Sequence, residues 1–518
     1  MDSIRLFDEI FCEFVPDKNK AEFTQQYFKS HLILMSCFLS MECTQSALLV
    51  LDLGRAKELH FCIEKQNNTL RLDIFDYNGT MWDRINAGEE KLWFEELHEV
   101  FSERKTEISI LVFTFDMHGF LNVWVCHDTV IFRKLEVTLQ EISLLTALLF
   151  RPMNVTVDRN SSFYNTDLAT NSCNEIGFSS EFPNRKPTQI GKDAVENAVG
   201  SCSNVMECEI FKKWFQMLVG SVKDLYKGNN LIVVPDKCLF FTPFSALVDE
   251  NGRYLSDSYS IQITPSLHTL KCSMERSRDL KLGFALFVGN PEIGKVSLNE
   301  KIFVPNDLPN AAKEVEYLSK LFEAKAFLKS EARKDVVLEL LGKASLIHIA
   351  AHGEPTRGEI LLAPNSSSGQ PCPDVSKPES YLLTQRDIMS VSVKARFVVL
   401  CCCDTGQGKI SSEGVIGITR AFLAAGARSV LAALWPIHDS ATKDFMKKFY
   451  AELFEETSVC EALKRAMNFF QKHEKEHYRS IKIWAPFTIY GEDVKFKRDV
   501  IEEIGKQSRK MFDGFAVV

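Results

Sequence analysis

The stretch FVVLCCCDTGQG, residues 397–408, joins a strand signal directly to a turn signal. Four apolar residues lead into three adjacent cysteines, which an acid, a threonine and two glycines follow. A buried strand typically ends at such a glycine-rich turn sequence. One thiol is therefore predicted to lie where a strand stops and a turn begins. Active sites of α/β proteins favour that place, because the carboxyl ends of parallel strands open onto a crevice.

The strand signal recurs along the second half of the chain and alternates with helix signals. Amphipathic helices are predicted over residues 310–322, 413–426 and 439–453. Near-continuous apolar runs are typical of parallel strands that are covered on both faces. The alternation predicts an α/β fold: a doubly wound, mostly parallel sheet with helices on both faces. The predicted strands are NLIVVP (230–235), YSIQIT (259–264), FALFVG (284–289), SLIHIAA (345–351), RFVVLCC (396–402) and RSVLAALW (428–435).

The remaining segments differ from this pattern in residue composition and periodicity. Residues 1–66 are predicted to be helical and too short to bury a core alone, so they should pack on something else. Residues 67–150 contain a β-rich part that reads as an antiparallel meander. An Asn- and Ser-rich insertion or linker follows over 151–207. The α/β domain spans 208–494, and a charged tail, a peripheral helix or a frayed end, covers 495–518.

The composition sets limits on the class of protein. The 518 residues are enough for two or three domains, and 45% hydrophobic with 25% charged residues is ordinary for a soluble globular chain. A net charge of −8 gives no electrostatic footprint for nucleic acid. The N-terminus lacks the pattern of a signal peptide, and the apolar stretch 31–41 is too short to span a bilayer. We therefore expect a cytoplasmic protein with no nucleic-acid or membrane partner.

The cysteine pattern points away from structural metal sites. Apart from the run 401–403, the 15 cysteines are scattered without a C-x-x-C pair. That spacing argues against a zinc ribbon or a thioredoxin-type motif, and an odd number of scattered thiols suits a reducing compartment. The glycine-containing stretch 406–417 lacks the spacing of a phosphate-binding loop. No metal and no organic cofactor is expected.

A second motif, HIAAHGEP (348–355), places a histidine at the end of another predicted strand. His352 lies 403 − 352 = 51 residues before Cys403, which is enough for a crossover between neighbouring parallel strands. A nucleophile and a base would then share one sheet edge, as cysteine catalysis requires. The backbone N–H groups of Gly353 and Cys403 are the expected oxyanion hole. His348 would lie about 13 Å from His352 on an extended strand, so it is interpreted as a core histidine.

Several segments in this order resemble the CHAT family of caspase-like domains, over roughly residues 108–493. They include LIVVPDKCLFFTPFSAL, ALFVGNPEI, HIAAHG, VVLCCCDTGQG, EGVIGITRAFLAAGARSVLAALWPIHDSAT and WAPFTIYG. The resemblance implies a caspase/separase-like fold, with His352 as general base and Cys403 as nucleophile. Cys401 and Cys402 stand where relatives have small residues, so they are interpreted as filling. The helical start resembles the last repeat of a tetratricopeptide repeat array, which the family often carries on its N-terminal side.

Asp439 has two interpretations at this stage. Most simply, it is the N-cap of the helix that follows it. In related members of the caspase and separase clan, an acid near this position lines the primary specificity pocket. That role would predict cleavage after Arg or Lys, because a buried carboxylate needs a cationic partner. Asp404 could take the same role or hydrogen-bond within its own turn.

Two main functions remain open from the sequence. The first is a cysteine endopeptidase with a Cys403–His352 dyad, acting on a protein or peptide substrate. Its activity would be regulated by the N-terminal helical region or by a protein partner bound there. The second is a non-catalytic CHAT scaffold that mediates protein–protein interactions. A third, less favoured hypothesis is a redox switch through a strained disulfide between Cys402 and Cys403.

Overall fold

The structure is a computed structural model that describes most of the chain. The predicted insertion at 151–207 lies almost wholly outside the described residues. Cys403 and Asp404 also lie outside them. The chain divides into two compact units, the first mainly from 20–152 and 203–275 and the second mainly from 281–409 and 415–512. The described residues are 20–66, 85, 93–96, 107–153, 203–275, 281–298, 301–354, 357–365, 375–402, 409–411 and 414–512.

The first unit combines N-terminal helices with a five-stranded sheet. Its sheet has the order β3-β2-β1-β4-β5, in which β1, β2 and β3 form the predicted antiparallel meander. β1 also pairs in parallel with β4, and β4 pairs in parallel with β5. The meander therefore shares one sheet with strands that follow the 151–207 segment. The strands are β1 (Ile108–Phe115), β2 (Phe120–Cys126), β3 (Val130–Thr138), β4 (Asn230–Val234) and β5 (Ser260–Ile263).

The helices of the first unit pack against this sheet. Apolar side chains of the two N-terminal helices share a core with β1, β2 and β4, as expected for a segment that cannot bury a core alone. The helices are α1 (Lys20–Ser40), α2 (Thr44–Leu53), α3 (Lys57–Gln66), α4 (Leu139–Met153), α5 (Ser203–Phe215), α6 (Leu255–Ser258) and α7 (Leu267–Glu275).

Buried polar contacts fix α2 and the residues after it in place. The carboxylate of Asp52 accepts hydrogen bonds from the backbone N–H groups of Leu267 and His268, both at 2.8 Å, at the start of α7. Burial raises the pKa of Asp52 to about 6, although these amides act in the opposite direction. The Arg55 guanidinium donates to the carbonyl of Phe113 at the end of β1. The N-terminal helices are thus joined to the sheet by polar as well as apolar contacts.

The second unit contains a mostly parallel sheet of the order β18-β17-β14-β10-β6-β9. All of its pairs are parallel except β17–β18 at one edge. The predicted α/β class with a mostly parallel sheet is confirmed. The strands from here onward are β6 (Ala285–Pro291), β7 (Val296–Leu298), β8 (Lys301–Phe303), β9 (Ala326–Lys329), β10 (Leu346–Ala350), β11 (His352–Gly353), β12 (Ile360–Leu361), β13 (Leu382–Leu383), β14 (Phe397–Leu400), β15 (Lys409–Ser411), β16 (Gly414–Ile416), β17 (Ser429–Ala433) and β18 (Phe487–Gly491).

Helices surround this second sheet. The charged C-terminal segment forms mainly one helix, whose Ser508 hydroxyl accepts from the backbone N–H of Ala285 on β6 at 3.0 Å. The helices are α8 (Pro309–Leu321), α9 (Lys334–Leu341), α10 (Pro378–Tyr381), α11 (Gln385–Met389), α12 (Ile418–Ala425), α13 (Asp439–Phe454), α14 (Val459–Gln471), α15 (Ile481–Trp484) and α16 (Arg498–Phe512).

The topology places the predicted site at a reversal of strand order. From β6 the chain moves to β9 on one side, and then returns to β10 and β14 on the other. Ligands of open α/β sheets bind at the carboxyl ends of the strands beside such a switch point. β10 and β14 are completely buried, as their continuous apolar sequences predict. Burial of each large aliphatic side chain contributes about 1.5–3 kcal/mol to the free energy of folding.

One helix prediction was wrong at its start. A continuous helix was predicted over 413–426, but residues Gly414–Ile416 form β16 and the helix begins only at Ile418. Gly417 has extended backbone angles (φ −152°, ψ −173°), which interrupt the helix at this point. Glycine has a low helix propensity and β-branched residues favour strands, so local preference explains the difference.

Gly289 allows α8 to lie directly on β6. A Cβ atom at this position would lie 2.8 Å from Cγ2 of Val315 and 3.1 Å from the backbone oxygen of Ala311. We expect Gly289→Ala to lower the free energy of unfolding by about 1–3 kcal/mol, because added volume in a packed core forces rearrangement. Urea denaturation followed by circular dichroism measures this change.

The matched control for this prediction is Gly505→Ala in α16. A Cβ atom there meets Phe322 only at 3.5 Å, an ordinary contact distance. Alanine is favoured over glycine within a helix by up to about 1 kcal/mol, so this variant should be at least as stable as the wild type. An equal loss of stability in the two variants would contradict the assigned contact between α8 and β6.

Candidate active site

The carboxyl ends of β10 and β14 lie side by side in the sheet. The strands pair in parallel, with Ile349 opposite Leu400. Positions 352 and 403 both lie three residues beyond this pair in the sequence. The structure describes the histidine but not Cys403, which follows the last described residue, Cys402. The paired strands thus carry both motifs toward the same edge of the sheet.

His352 is held by a backbone carbonyl. Its side chain is only 2% exposed, and its Nε2 atom lies 2.8 Å from the backbone oxygen of Asn306. A carbonyl oxygen can only accept a hydrogen bond, so Nε2 must carry a proton. In the neutral imidazole the lone pair is then on Nδ1. The contact therefore fixes both the ring orientation and the tautomer, in which Nδ1 carries the lone pair.

The backbone after His352 forms a short antiparallel ladder. Gly353 on β11 pairs with Ile360 on β12. The next pair in this register is joined by a hydrogen bond from the N–H of Glu354 to the oxygen of Glu359, at 2.7 Å. Hydrogen-bonded and non-hydrogen-bonded pairs alternate in such ladders. The N–H group of Gly353 therefore points away from β12, as an oxyanion donor would require.

Cys401 and Cys402 are buried beneath this edge. Both are completely buried, and the backbone N–H of Cys401 donates to the oxygen of Ile349 at 2.8 Å. The thiol of Cys402 lies 3.5 Å from the same carbonyl oxygen. These contacts agree with the interpretation that the first two cysteines of the run fill space around the strand ends.

His348 belongs to a separate buried network. Its Nδ1 atom lies 3.1 Å from the hydroxyl of Tyr450, and its Nε2 atom lies 2.9 Å from the carboxylate of Glu314. Burial raises the pKa of Tyr450 well above its ordinary value, so the phenol keeps its proton and donates to Nδ1. Nε2 then carries the proton that Glu314 accepts. Both ring nitrogens are used in this way, as expected for a core histidine.

The thiol of Cys401 lies close to this network. The ligand atoms of Cys401, Glu314 and His348 all lie within 4.8 Å of one another, a separation that a metal ion could also bridge. Hydrogen bonds to separate partners already account for both nitrogens of His348. The arrangement is therefore best explained as a structural network between α8, β10 and α13.

Asp439 lies at the start of α13 and binds a different helix. Its two carboxylate oxygens accept hydrogen bonds from the backbone N–H groups of Asn310 and Ala311, at 3.0 and 3.1 Å. A carboxylate at a helix N-terminus is stabilised by the helix dipole and by the free amides there. Asp439 thus caps α8, whereas His438 occupies the N-cap position of α13. The residues before α8 include Asn306, which holds His352.

Sequence reasoning missed the contribution of Asn306. The interacting group is a main-chain carbonyl, so the residue type gives no signal, and the partners are 46 residues apart. Asp404, the other acid considered for a specificity pocket, lies outside the described residues. Among the described residues, the structure thus brings together His352, Gly353 and Asn306 at the end of β10.

Comparison with known proteins assigns the family. A model of the CHAT domain matches residues 209–492, which is more than half of the chain. The chain belongs to the CHAT domain family. The sequence resemblance is thereby confirmed, and the candidate site lies within the matched part of this CHAT protein.

Curated relatives are much longer proteins. The CHAT protein is 29% identical over 304 residues to tetratricopeptide repeat protein 28 of Mus musculus and 27% identical over 306 residues to that of Homo sapiens. Each match covers 52% of this chain and 12% of the relative. The chain thus spans only a small part of these relatives. Their similarity agrees with the predicted likeness to a repeat-containing CHAT protein.

A solved structure confirms the fold. A chain from the Saccharomyces cerevisiae separase–securin complex superposes with a TM-score of 0.50 and 15% sequence identity, over 96% of this chain and 37% of that chain. The predicted caspase/separase-like fold is confirmed by this likeness, which at such low identity concerns the fold alone. Among the helices that the structure describes, none is long and apolar enough to cross a membrane.

Proposed function

We propose that the CHAT protein is a cysteine endopeptidase with Cys403 as nucleophile and His352 as general base. The observation that carries this proposal is the hydrogen bond from Nε2 of His352 to the backbone oxygen of Asn306. It leaves Nδ1 as the basic nitrogen at the carboxyl end of β10. A nucleophile, a base and a third group that orients the base are the usual arrangement for nucleophilic catalysis.

The reaction follows from these groups. Nδ1 of His352 accepts the proton of the Cys403 thiol, and the sulfur attacks the carbonyl carbon of the scissile peptide bond. The N–H groups of Gly353 and Cys403 stabilise the negative oxygen that forms. His352 returns its proton to the leaving amine, which leaves a thioester. Water, deprotonated by the same nitrogen, then releases the acid product and restores the thiol.

Substrate preference and regulation are further parts of the proposal. Asp439 and Asp404 would favour a basic residue before the cleaved bond, although Asp439 already accepts two backbone amides of α8. Regulation would act through the N-terminal helical region or a protein bound to it. The tetratricopeptide repeat relatives and the separase crystallised with securin support a protein partner. A cytoplasmic location fits the free thiols among the described cysteines.

The test is the alkylation rate of each cysteine as a function of pH, resolved by mass spectrometry. Cys403 in the wild type should react with an apparent pKa below the ~8.5 of a free thiol. His352→Ala should remove this advantage, because no base then stabilises the thiolate. Cys402 is the internal control, since it is the neighbouring thiol and is completely buried.

The opposite result has a clear meaning. If Cys403 is alkylated with the pH dependence of an ordinary thiol, and its rate does not change in His352→Ala, the chain has no working dyad. The peptidase proposal then fails, and the non-catalytic CHAT scaffold becomes the better hypothesis. A mass loss of two hydrogens in the 402–403 peptide after mild oxidation would instead indicate the redox switch.

A further inference from the structure

Three metal-binding side chains converge in the first unit, outside the candidate active site. His60 lies on α3, and His268 and Cys272 lie four residues apart on α7. The thiol of Cys272 lies 3.2 Å from Nε2 of His60 and 3.9 Å from Nε2 of His268. The two imidazoles also contact each other through their Nε2 atoms. The three ligand atoms therefore surround a single point.

Hydrogen bonds among the three side chains do not account well for this arrangement. A proton between two Nε2 atoms satisfies that one pair, and the thiol then faces nitrogens that are already engaged. In the His348 network each nitrogen has its own partner, whereas here three donor atoms meet at one place. A single cation would engage all three.

The donor set and the spacing fit zinc. Zinc binds imidazole nitrogen at about 2.0–2.1 Å and thiolate sulfur at about 2.3 Å, usually with tetrahedral geometry. Ligand atoms of such a site are then about 3.3–3.6 Å apart. The observed sulfur–nitrogen distances of 3.2 and 3.9 Å lie on either side of this range. The two imidazole nitrogens lie closer together than this range and would move apart around an ion. We propose that His60, His268 and Cys272 bind a zinc ion, with water as the fourth ligand.

The surroundings support a built site. His60 and His268 are 6% exposed, and Cys272 is partly buried, so a water molecule can reach the fourth position. Asp52 fixes the start of α7 through the N–H groups of Leu267 and His268, and adds a carboxylate near the imidazoles. The positive charge of Lys271 is compensated by Glu96 at 2.8 Å. These contacts fix the start of α7, the helix on which both His268 and Cys272 lie.

The zinc ion would tie the N-terminal helices to the CHAT-matched part of the chain. His60 lies before the matched residues 209–492, and the other two ligands lie within them. Metal binding and folding are coupled when the ligands come from distant segments. The ion therefore acts as a structural clamp between α3 and α7. This inference does not depend on the peptidase proposal.

The first experiment measures metal in the 518-residue chain. After dialysis against metal-free buffer, the wild type should retain one zinc ion per chain by elemental analysis. Cys272→Ser keeps the size of the side chain but removes the thiolate. Its zinc affinity should fall by at least the ~10–100-fold that loss of an outer contact causes. Cys62→Ser is the matched control: Cys62 is a partly buried thiol on α3 outside the cluster, and this variant should bind zinc like the wild type.

Replacement of zinc by cobalt gives a second, spectroscopic measurement, which does not depend on how much protein is obtained. Wild type and Cys62→Ser should show the visible bands of tetrahedral cobalt and a thiolate charge-transfer band in the near ultraviolet. Cys272→Ser should lose the charge-transfer band while circular dichroism shows that it is folded. A folded wild type that binds neither metal at one ion per chain would overturn the site. Unchanged spectra in Cys272→Ser would do the same.

Discussion

In the proposed peptidase, His352→Ala should lower the rate of peptide-bond hydrolysis on the order of 10⁴- to 10⁶-fold, as loss of the base does in nucleophilic proteases. Nδ1 of this residue is the proposed acceptor of the thiol proton, and the imidazole also protonates the leaving amine. Both steps lose their proton carrier in the variant. The rates are measured on a proteome-derived peptide library, with each new N-terminus quantified by mass spectrometry.

Asn306→Ala is the matched control for this prediction. The group that holds His352 is the backbone oxygen of Asn306, which the substitution keeps, and the Asn306 side chain is exposed. Surface substitutions usually change stability by no more than about 0.5 kcal/mol, so the rate should stay within about tenfold of the wild type. Cys403→Ala should be inactive. Cleavage that survives both Cys403→Ala and His352→Ala would show that the activity belongs to another site or another protein.

Six strands from residue 230 onward were predictable because buried strands have continuous apolar sequences, whereas β9 and β18 of the same part of the chain were not predicted. Every predicted strand is present, with its ends within two residues of the predicted ones. The run 396–402 illustrates the limit, since β14 ends at Leu400 although Cys401 and Cys402 are equally buried. Burial marks a segment as interior, but pairing with the neighbouring strand decides where the strand ends.

The candidate site was predictable only where side-chain chemistry coincides with a strand end. His352 and Gly353 follow an apolar run, so position and residue type indicate them together. The carbonyl of Asn306 carries no such signal, because every residue has one. The cluster of His60, His268 and Cys272 is also hidden, since His60 lies more than 200 residues before the other two. The H-x-x-x-C spacing at 268–272 was the available signal, and a search for C-x-x-C pairs passes over it.

The second large effect concerns the buried network below the site. We expect His348→Leu to lower the free energy of unfolding by about 3–5 kcal/mol. Glu314 is completely buried and its carboxylate accepts a hydrogen bond from His348. Removal of the imidazole takes this hydrogen-bond donor away from a completely buried carboxyl group, and the loss of one partner of a buried pair is strongly destabilising. Urea denaturation followed by circular dichroism measures the change.

A double-mutant cycle separates this effect from the loss of packing. In Glu314→Leu/His348→Leu the buried carboxyl group that lost its donor is also removed, so the double variant should be more stable than His348→Leu alone. The hydroxyl of Tyr450 loses its acceptor in both variants, and its contribution therefore cancels between them. His438→Leu is the control for a histidine at an exposed position, where a change within about 0.5 kcal/mol is expected. If the two single losses simply add in the double variant, Glu314 and His348 are not coupled, and loss of the hydrogen bond between them cannot be the cause of the instability.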